Sequence, residues 1–162
     1  MIKKLSLSVS ILLLLLFLAS CAPSDTDEEL PLEDEEAIME NENMRFIMSQ
    51  SITGSKWLVT LRLENKSDIE KTLLFPTGQQ FDVRVLDDNK DEVYRFSEGK
   101  VFTQVVIEEV VAPGDYLEWE HSTEVDQLAG ADQVEAFLTA TELNGEALDE
   151  YAFFLSQSFA GK

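Results

Sequence analysis

The sequence predicts an all-β protein, and three observations predict it. Apolar and polar side chains alternate from residue 46 onward, which is the period of a strand with one buried face. Turn residues recur at roughly ten-residue spacing. No amphipathic helix longer than two turns is visible, and the alternation over residues 129–138, which also fit a helix, favours a strand. This pattern is typical of an antiparallel β-sandwich, immunoglobulin-like in outline, with about nine strands.

Each predicted strand is an alternating or β-branched run that ends at a turn. The clearest is residues 57–64, where Trp57, Val59, Leu61 and Leu63 share one face. The large side chains of Trp57 and Trp119 are the predicted core anchors. The predicted strands are residues 46–48, 57–64, 69–75, 81–85, 94–96, 101–111, 116–121, 134–141 and 151–159.

Residues 1–20 predict a targeting segment that precedes the fold. Lys3 and Lys4 come before an unbroken apolar run over residues 11–19. Nine residues at about 1.5 Å each are too short for a bilayer core of about 30 Å, so this run predicts a signal peptide and not a permanent span.

The apolar run ends in the sequence Leu-Ala-Ser-Cys at residues 18–21, which resembles the lipobox of bacterial lipoproteins. The resemblance implies that the Cys21 sulfur carries a diacylglycerol, that the chain is cut before Cys21, and that the protein lies outside the cytoplasm, anchored to the lipid bilayer. The alternative is an ordinary signal peptide with an incidental cysteine. Because Cys21 is the only cysteine, internal disulfides and Cys-rich zinc sites are excluded.

Residues 21–44 predict a disordered acidic linker between the signal segment and a folded domain at residues 45–162. Residues 22–43 contain ten acidic and no basic side chains, and no aromatic ones. Such a segment buries too little apolar surface to offset its ordering entropy, and its charges repel each other. The alternative is an acidic docking segment for a basic partner.

Charge and composition exclude several functions. The chain has 12 Lys and Arg against 32 Asp and Glu, a formal net charge of −20, so a nucleic-acid partner is not predicted. With a single histidine, a His-rich metal centre is impossible, and no Gly-x-Ser-x-Gly motif supports the pair His121 and Ser122 as a nucleophile relay. These two residues point to opposite faces of a strand. We therefore predict neither an enzyme nor a cofactor.

One segment has the residue spacing of a metal site but lacks a residue that such a site needs. Asp87, Asn89, Asp91 and Glu98 have the spacing of oxygen ligands in a calcium loop. Glu92 stands where such a loop needs its turn glycine, so a hairpin turn is the better interpretation. No metal site is predicted.

Three sequence blocks between residues 63 and 122 resemble those of one family. They are Phe-Pro-Thr-Gly-Gln-Gln-Phe-Asp at residues 75–82, Tyr-Arg-Phe at residues 94–96, and Gly-Lys-Val-Phe-Thr-Gln at residues 99–104. In this order they resemble the BsuPI-type intracellular proteinase inhibitors, although Tyr94 stands where that family usually has Trp. The resemblance implies a β-sandwich that inhibits subtilisin-like serine proteases by binding them. Since Cys21 implies a place outside the cytoplasm, the expected partner is a subtilisin-like protease or another protein of the cell envelope. The alternative is a non-inhibitory adaptor lipoprotein.

Two loops within these blocks are the candidate contact surface. A protease inhibitor needs an extended, rigid loop, because rigidity lowers the ordering cost of binding. The candidate contact residues are Pro76, Thr77, Gly78, Gln79, Gln80, Ser97, Glu98, Gly99, Lys100 and Phe102.

The alternative is that the same loops are ordinary turns. Gly78, Gly99 and Gly114 would then adopt positive φ, which glycine does at no steric cost. Asp82 and Gln104 would bond the turn backbone.

Overall fold

A computed structural model describes residues 36–41 and 43–161 of the chain. These residues form strands joined by turns and a single turn of 3-10 helix at Val125–Leu128, so the predicted all-β class is confirmed. The twelve strands of the described residues are β1 Glu36–Asn41, β2 Met44–Thr53, β3 Lys56–Asn65, β4 Lys71–Phe75, β5 Phe81–Leu86, β6 Glu92–Arg95, β7 Ile107–Val111, β8 Tyr116–Glu124, β9 Gln133–Leu138, β10 Glu142–Leu143, β11 Glu146–Ala147 and β12 Phe154–Ser158.

The strands form three four-stranded antiparallel sheets. Their orders are β1-β2-β3-β8, β11-β10-β4-β7 and β12-β9-β5-β6. The hydrogen bond from Thr139 N to Gln80 O (3.0 Å) extends the pairing of β9 with β5, and that from Thr141 N to Leu74 O (2.9 Å) extends the pairing of β10 with β4. The chain between β9 and β10 therefore passes from the third sheet to the second. The arrangement is that of a β-sandwich, with twelve strands where the sequence predicted about nine. The immunoglobulin-like outline stays a prediction.

The core forms where the alternating residues of β2 and β3 face the other sheets. Trp57, Val59, Leu61 and Leu63 on β3 are fully buried, which confirms the predicted face. Hydrophobic burial of this kind stabilises a sandwich by about 25 cal/mol for each Å² removed from water. Trp57 is a core anchor as predicted, whereas Trp119 is only partly buried and packs at the margin of the core.

The predicted linker is corrected at its C-terminal end. Residues 36–41, which the sequence assigned to a disordered segment, form β1 and pair with β2 from Glu36↔Ser49 to Asn41↔Met44. Ala37 and Met39 pack against the core while the acidic neighbours stay exposed. The segment therefore has the alternation of a strand, but its acidic composition led to the prediction of disorder. Residues 1–20 and Cys21, with the rest of the predicted linker up to residue 35, lie outside the described residues.

Four predicted strands, 69–75, 101–111, 134–141 and 151–159, are longer than the strands observed there, and the second and fourth differ most. Of residues 101–111 only Ile107–Val111 form a strand, because Ile107 pairs with Phe75, the last residue of β4, and the residues before Ile107 have no partner strand there. Of residues 151–159 only Phe154–Ser158 do so, since Tyr151 has a left-handed backbone with φ 62°. β-branched or aromatic composition predicted strands here, but a strand also needs a partner strand for its backbone groups.

Candidate functional site

Two loops come together at one margin of the sandwich, and we call them the loop edge: residues 76–80, between β4 and β5, and residues 97–106, between β6 and β7. Gly78 N donates a hydrogen bond to Thr103 O at 2.8 Å. A Cβ atom at Gly78 would clash with Thr103 Oγ1. The two loops that the sequence singled out are thus in direct contact.

The close approach corrects the reason for one glycine. Gly99 and Gly114 have positive φ of 70° and 79°, as predicted. Gly78 does not, and its space is instead occupied by Thr103. A side chain at residue 78 would push the loops apart, so this glycine is required by packing.

Stacked aromatic rings form the base of the loop edge. The rings of Phe81 and Phe96 are stacked with centroids 4.5 Å apart, and Phe102 lies 6.2 Å from Phe96. Lys100 Nζ lies 3.4 Å from the centre of the Phe96 ring, within range of a cation–π interaction. The segment that follows β6 is therefore folded back over a ring that is itself fixed to the core through Phe81.

A buried carboxylate fixes the start of the second loop. Asp82 is 2% exposed and accepts hydrogen bonds from Arg95 Nε at 2.9 Å, Ser97 Oγ at 2.7 Å and Ser97 N at 3.2 Å. These bonds raise the pKa of Arg95, with the Asp82 hydrogen bond as the largest cause. Asp82 bonds turn backbone as the sequence predicted, and Ser97 proves to be its partner. Charge-assisted bonds are the strong class, so the loop leaves β6 in a defined direction.

The side-chain amides of Gln79 and Gln80 in the first loop form hydrogen bonds within the protein. Gln80 accepts from Trp119 Nε1 at 2.8 Å and donates to Glu109 at 2.7 Å. Gln79 donates from its side chain to Phe81 O, and its own carbonyl accepts from Thr139 Oγ1 at 2.5 Å. Both residues are half-buried, and their side chains hold the loop in place.

The outward-facing part of the loop edge is different from the predicted one. Of the candidate residues, Pro76, Glu98, Gly99 and Lys100 are exposed, while Thr77, Ser97 and Phe102 are half-buried like the two glutamines and Gly78. Sequence reasoning missed three exposed valines because it assigned them to a strand. They are Val101, Val105 and Val106, which are 98%, 62% and 59% exposed.

A histidine lies beside the aromatic base. His121 Nε2 is 2.5 Å from Tyr94 Oη, and the His121 ring meets Phe96 edge to face at 4.9 Å. Burial, with a smaller repulsion from Lys100, lowers the pKa of His121. Ser122 is exposed on the other face of β8, so the two residues point apart as the strand alternation predicted.

The calcium-like segment is a tight turn. Asp87 Oδ1 accepts from Asn89 N and Asp91 N, both at 2.9 Å, and the Asp91 bond is the largest cause of a lowered Asp87 pKa. The favoured hairpin interpretation is confirmed. Across residues 36–41 and 43–161, no group of three or more His, Cys, Asp or Glu side chains could hold a metal ion. Nor does any helix in that part of the chain have the length and apolar character to cross a membrane.

An all-β domain built from three antiparallel sheets belongs to the broad class of β-sandwich proteins. The model of one family, BsuPI, described as intracellular proteinase inhibitor, matches residues 45–143. This chain belongs to that family, as the sequence blocks predicted. Because the family is described as one of proteinase inhibitors, membership supports an inhibitory function in general and implies a protease as the class of partner.

Solved structures give only weak likenesses. A penta-heme cytochrome c552 from Thermochromatium tepidum is 7% identical with a TM-score of 0.46, and the match covers 73% of this chain and 40% of that one. A DUF1425 family member from Shewanella sp. pv-4 is 13% identical with a TM-score of 0.37, covering 73% and 94%. The β-glucosidase 3B of Thermotoga neapolitana is 12% identical with a TM-score of 0.32, covering 78% and 16%. No curated protein matches the chain.

Proposed function

We propose that this protein is a lipid-anchored inhibitor of a subtilisin-like serine protease outside the cytoplasm, and that the loop edge is its contact surface. The family match at residues 45–143 carries the inhibitory part of the proposal. The lipobox resemblance at Cys21 supports the anchor and the location.

The loop edge suits inhibition by binding. Its backbone is held at three places, by Asp82 on Ser97, by Phe96 under Lys100 and by Gly78 on Thr103. A loop ordered before binding loses little further entropy when it enters a protease cleft. The same order opposes the distortion that cleavage of the loop would require.

Charge supports selectivity among proteases. The formal net charge of −20 favours encounter with a basic partner and disfavours an acidic one, and this effect weakens with salt.

Purified full-length protein in detergent tests the inhibitory function. We expect subtilisin-like proteases to lose activity in proportion to the inhibitor added, while intact mass shows an uncut chain. Rapid cleavage of the chain would mean that it is a substrate, and indifference across a broad protease panel would contradict the proposal. Recovery of a specific non-protease partner by crosslinking on intact membranes would then favour the adaptor alternative.

The anchor has a separate test. Cells supplied with an alkyne-labelled fatty acid should label the protein in the membrane fraction, and Cys21→Ser should abolish the label because the acceptor thiol is lost. A chain that stays unlabelled in the cytosol would contradict the location, whatever the inhibition assay gives.

A further inference from the structure

The most exposed large apolar side chain of the described residues lies at the centre of the loop edge. Val101 is 98% exposed, so its side chain lies almost entirely in solvent. Val105 and Val106, a few residues later, are 62% and 59% exposed. Single exposed apolar residues are common, but three of them within the ten residues of one loop indicate an interaction site.

The two neighbours of Val101 are fixed to the protein. Lys100 Nζ lies 3.4 Å from the Phe96 ring centre, and the Phe102 ring lies 6.2 Å from the same ring. The next residue, Thr103, accepts the hydrogen bond from Gly78 N. Residues 100 and 102 therefore both contact Phe96, whereas the side chain of residue 101, between them, lies in solvent.

The positions of Lys100, Val101 and Phe102 indicate which of these three chemically different side chains could enter a protease pocket. A serine protease recognises its substrate mainly through the S1 pocket, which can be small and apolar, large and apolar, or closed by a carboxylate. Lys100 would suit a carboxylate, but its ammonium is placed over Phe96. Phe102 would suit a large pocket, but it is half-buried against the same ring. Of these three residues, Val101 is the one whose side chain is almost wholly in solvent.

We propose that Val101 is the specificity-determining residue that fills the S1 pocket of the partner, and that the partner is a serine protease with a small apolar S1 pocket. The inference rests on the proposed inhibitory function and narrows its substrate class. A branched aliphatic side chain leaves water for such a pocket, whereas a bulkier or charged one is excluded by size or by desolvation.

The test uses full-length wild type and the variants Val101→Gly, Val101→Lys and Val101→Phe against three serine proteases, one for each type of S1 pocket. Wild type should inhibit the enzyme with the small apolar pocket best. Val101→Lys should lose at least about 100-fold there and gain on the enzyme with the carboxylate, while Val101→Phe should gain on the large pocket. Val101→Gly should weaken inhibition at least about tenfold.

Val110→Lys is the matched control, because Val110 is a 53% exposed valine on β7 outside the loop edge. It should leave inhibition within about twofold of wild type. Thermal unfolding should be unchanged in all the Val101 variants, since the side chain is not packed.

The outcomes separate this inference from the function on which it rests. Wild type that inhibits no protease overturns both. Wild type that inhibits, with Val101 variants unchanged, overturns the inference alone. Loss by Val101→Lys on the small pocket without a gain on the carboxylate also overturns it. A change of preference caused by Lys100→Ala or Phe102→Ala, with Val101 variants silent, would assign the pocket to the neighbour instead.

Discussion

Two aromatic clusters of this sandwich use the same kind of residue for different ends. The Trp57 cluster joins Trp57 to Phe159 at 6.0 Å and to Gln50 through a buried hydrogen bond, and both rings are almost wholly buried. In the Phe96 cluster, Phe96 stacks on buried Phe81 and makes a tilted contact with half-buried Phe102. The first cluster closes the core. The second extends the core outward until it supports a loop in solvent.

We therefore expect the Trp57 cluster to determine stability and the Phe96 cluster to determine binding. A change in the Trp57 cluster should affect inhibition only by unfolding the protein. A change in or beside the Phe96 cluster should affect inhibition more than it affects unfolding.

Trp57→Ala should lower the free energy of unfolding by about 3–5 kcal/mol, because it leaves a cavity and removes one of the hydrogen-bond donors to Gln50 Oε1. Urea denaturation followed by circular dichroism measures this. Trp57→Phe is the control. Its loss of unfolding free energy should be less than half of the loss caused by Trp57→Ala, since phenylalanine retains most of the ring. A Trp57→Ala protein as stable as wild type would refute the central place given to this residue.

Asp82→Ala should cost about 2–3 kcal/mol, because Arg95 and Ser97 lose a buried, charged acceptor. Released from this bond, the second loop should become mobile, and inhibition should weaken beyond what unfolding explains. Inhibition constants measured well below the unfolding transition, beside urea denaturation, separate the two effects. Asp126→Ala, an exposed acid on the 3-10 turn, should change neither. Equal behaviour of the two variants would contradict the role of Asp82.

Gly78→Ala should cost about 1 kcal/mol and weaken inhibition, because the new methyl group clashes with Thr103 Oγ1. Thr103→Ala removes the clashing atom, and the remaining neighbours of that methyl group lie at ordinary contact distance. The double variant should therefore recover most of what the single one loses. A double-mutant cycle on unfolding and on inhibition measures this coupling. Additive effects would show that the two loops are not in contact.

The smallest effect should come from His121 on acidification. Since burial lowers the pKa of His121 in the folded protein, the unfolded chain binds a proton more readily. The contribution of the neutral ring is present above the unfolded value of about 6.5 and is lost as the pH falls below it. Unfolding measured at pH 7.5 and 5.5 should show a smaller loss for His121→Gln than for wild type. Comparing the variant with wild type cancels the contribution of the carboxylates, because they titrate in both proteins. An equal loss of stability in the two proteins would contradict the prediction.

Sequence reasoning reached most of the fold because its signals are local. The alternation around Trp57 and Leu63 fixed the inward face of β3, and the blocks from Phe75 to Gln104 indicated the family and the two loops. It failed where the environment overrides composition. The acidic residues of β1 concealed the inward positions of Ala37 and Met39, and the β-branched residues 101–106 imitated a strand without having a partner strand.

By itself, the sequence determined the all-β class, the family and the two candidate loops, since periodicity, turn chemistry and ordered motifs are local features of the chain. Only the tertiary structure decided which side chains of the loop edge face inward. Gly78 is required by Thr103, Gln80 is bound by Trp119, and Val101 is left exposed because its neighbours pack on Phe96. Such choices depend on residues distant in sequence that meet only when the sheets pack, and no local pattern carries that information.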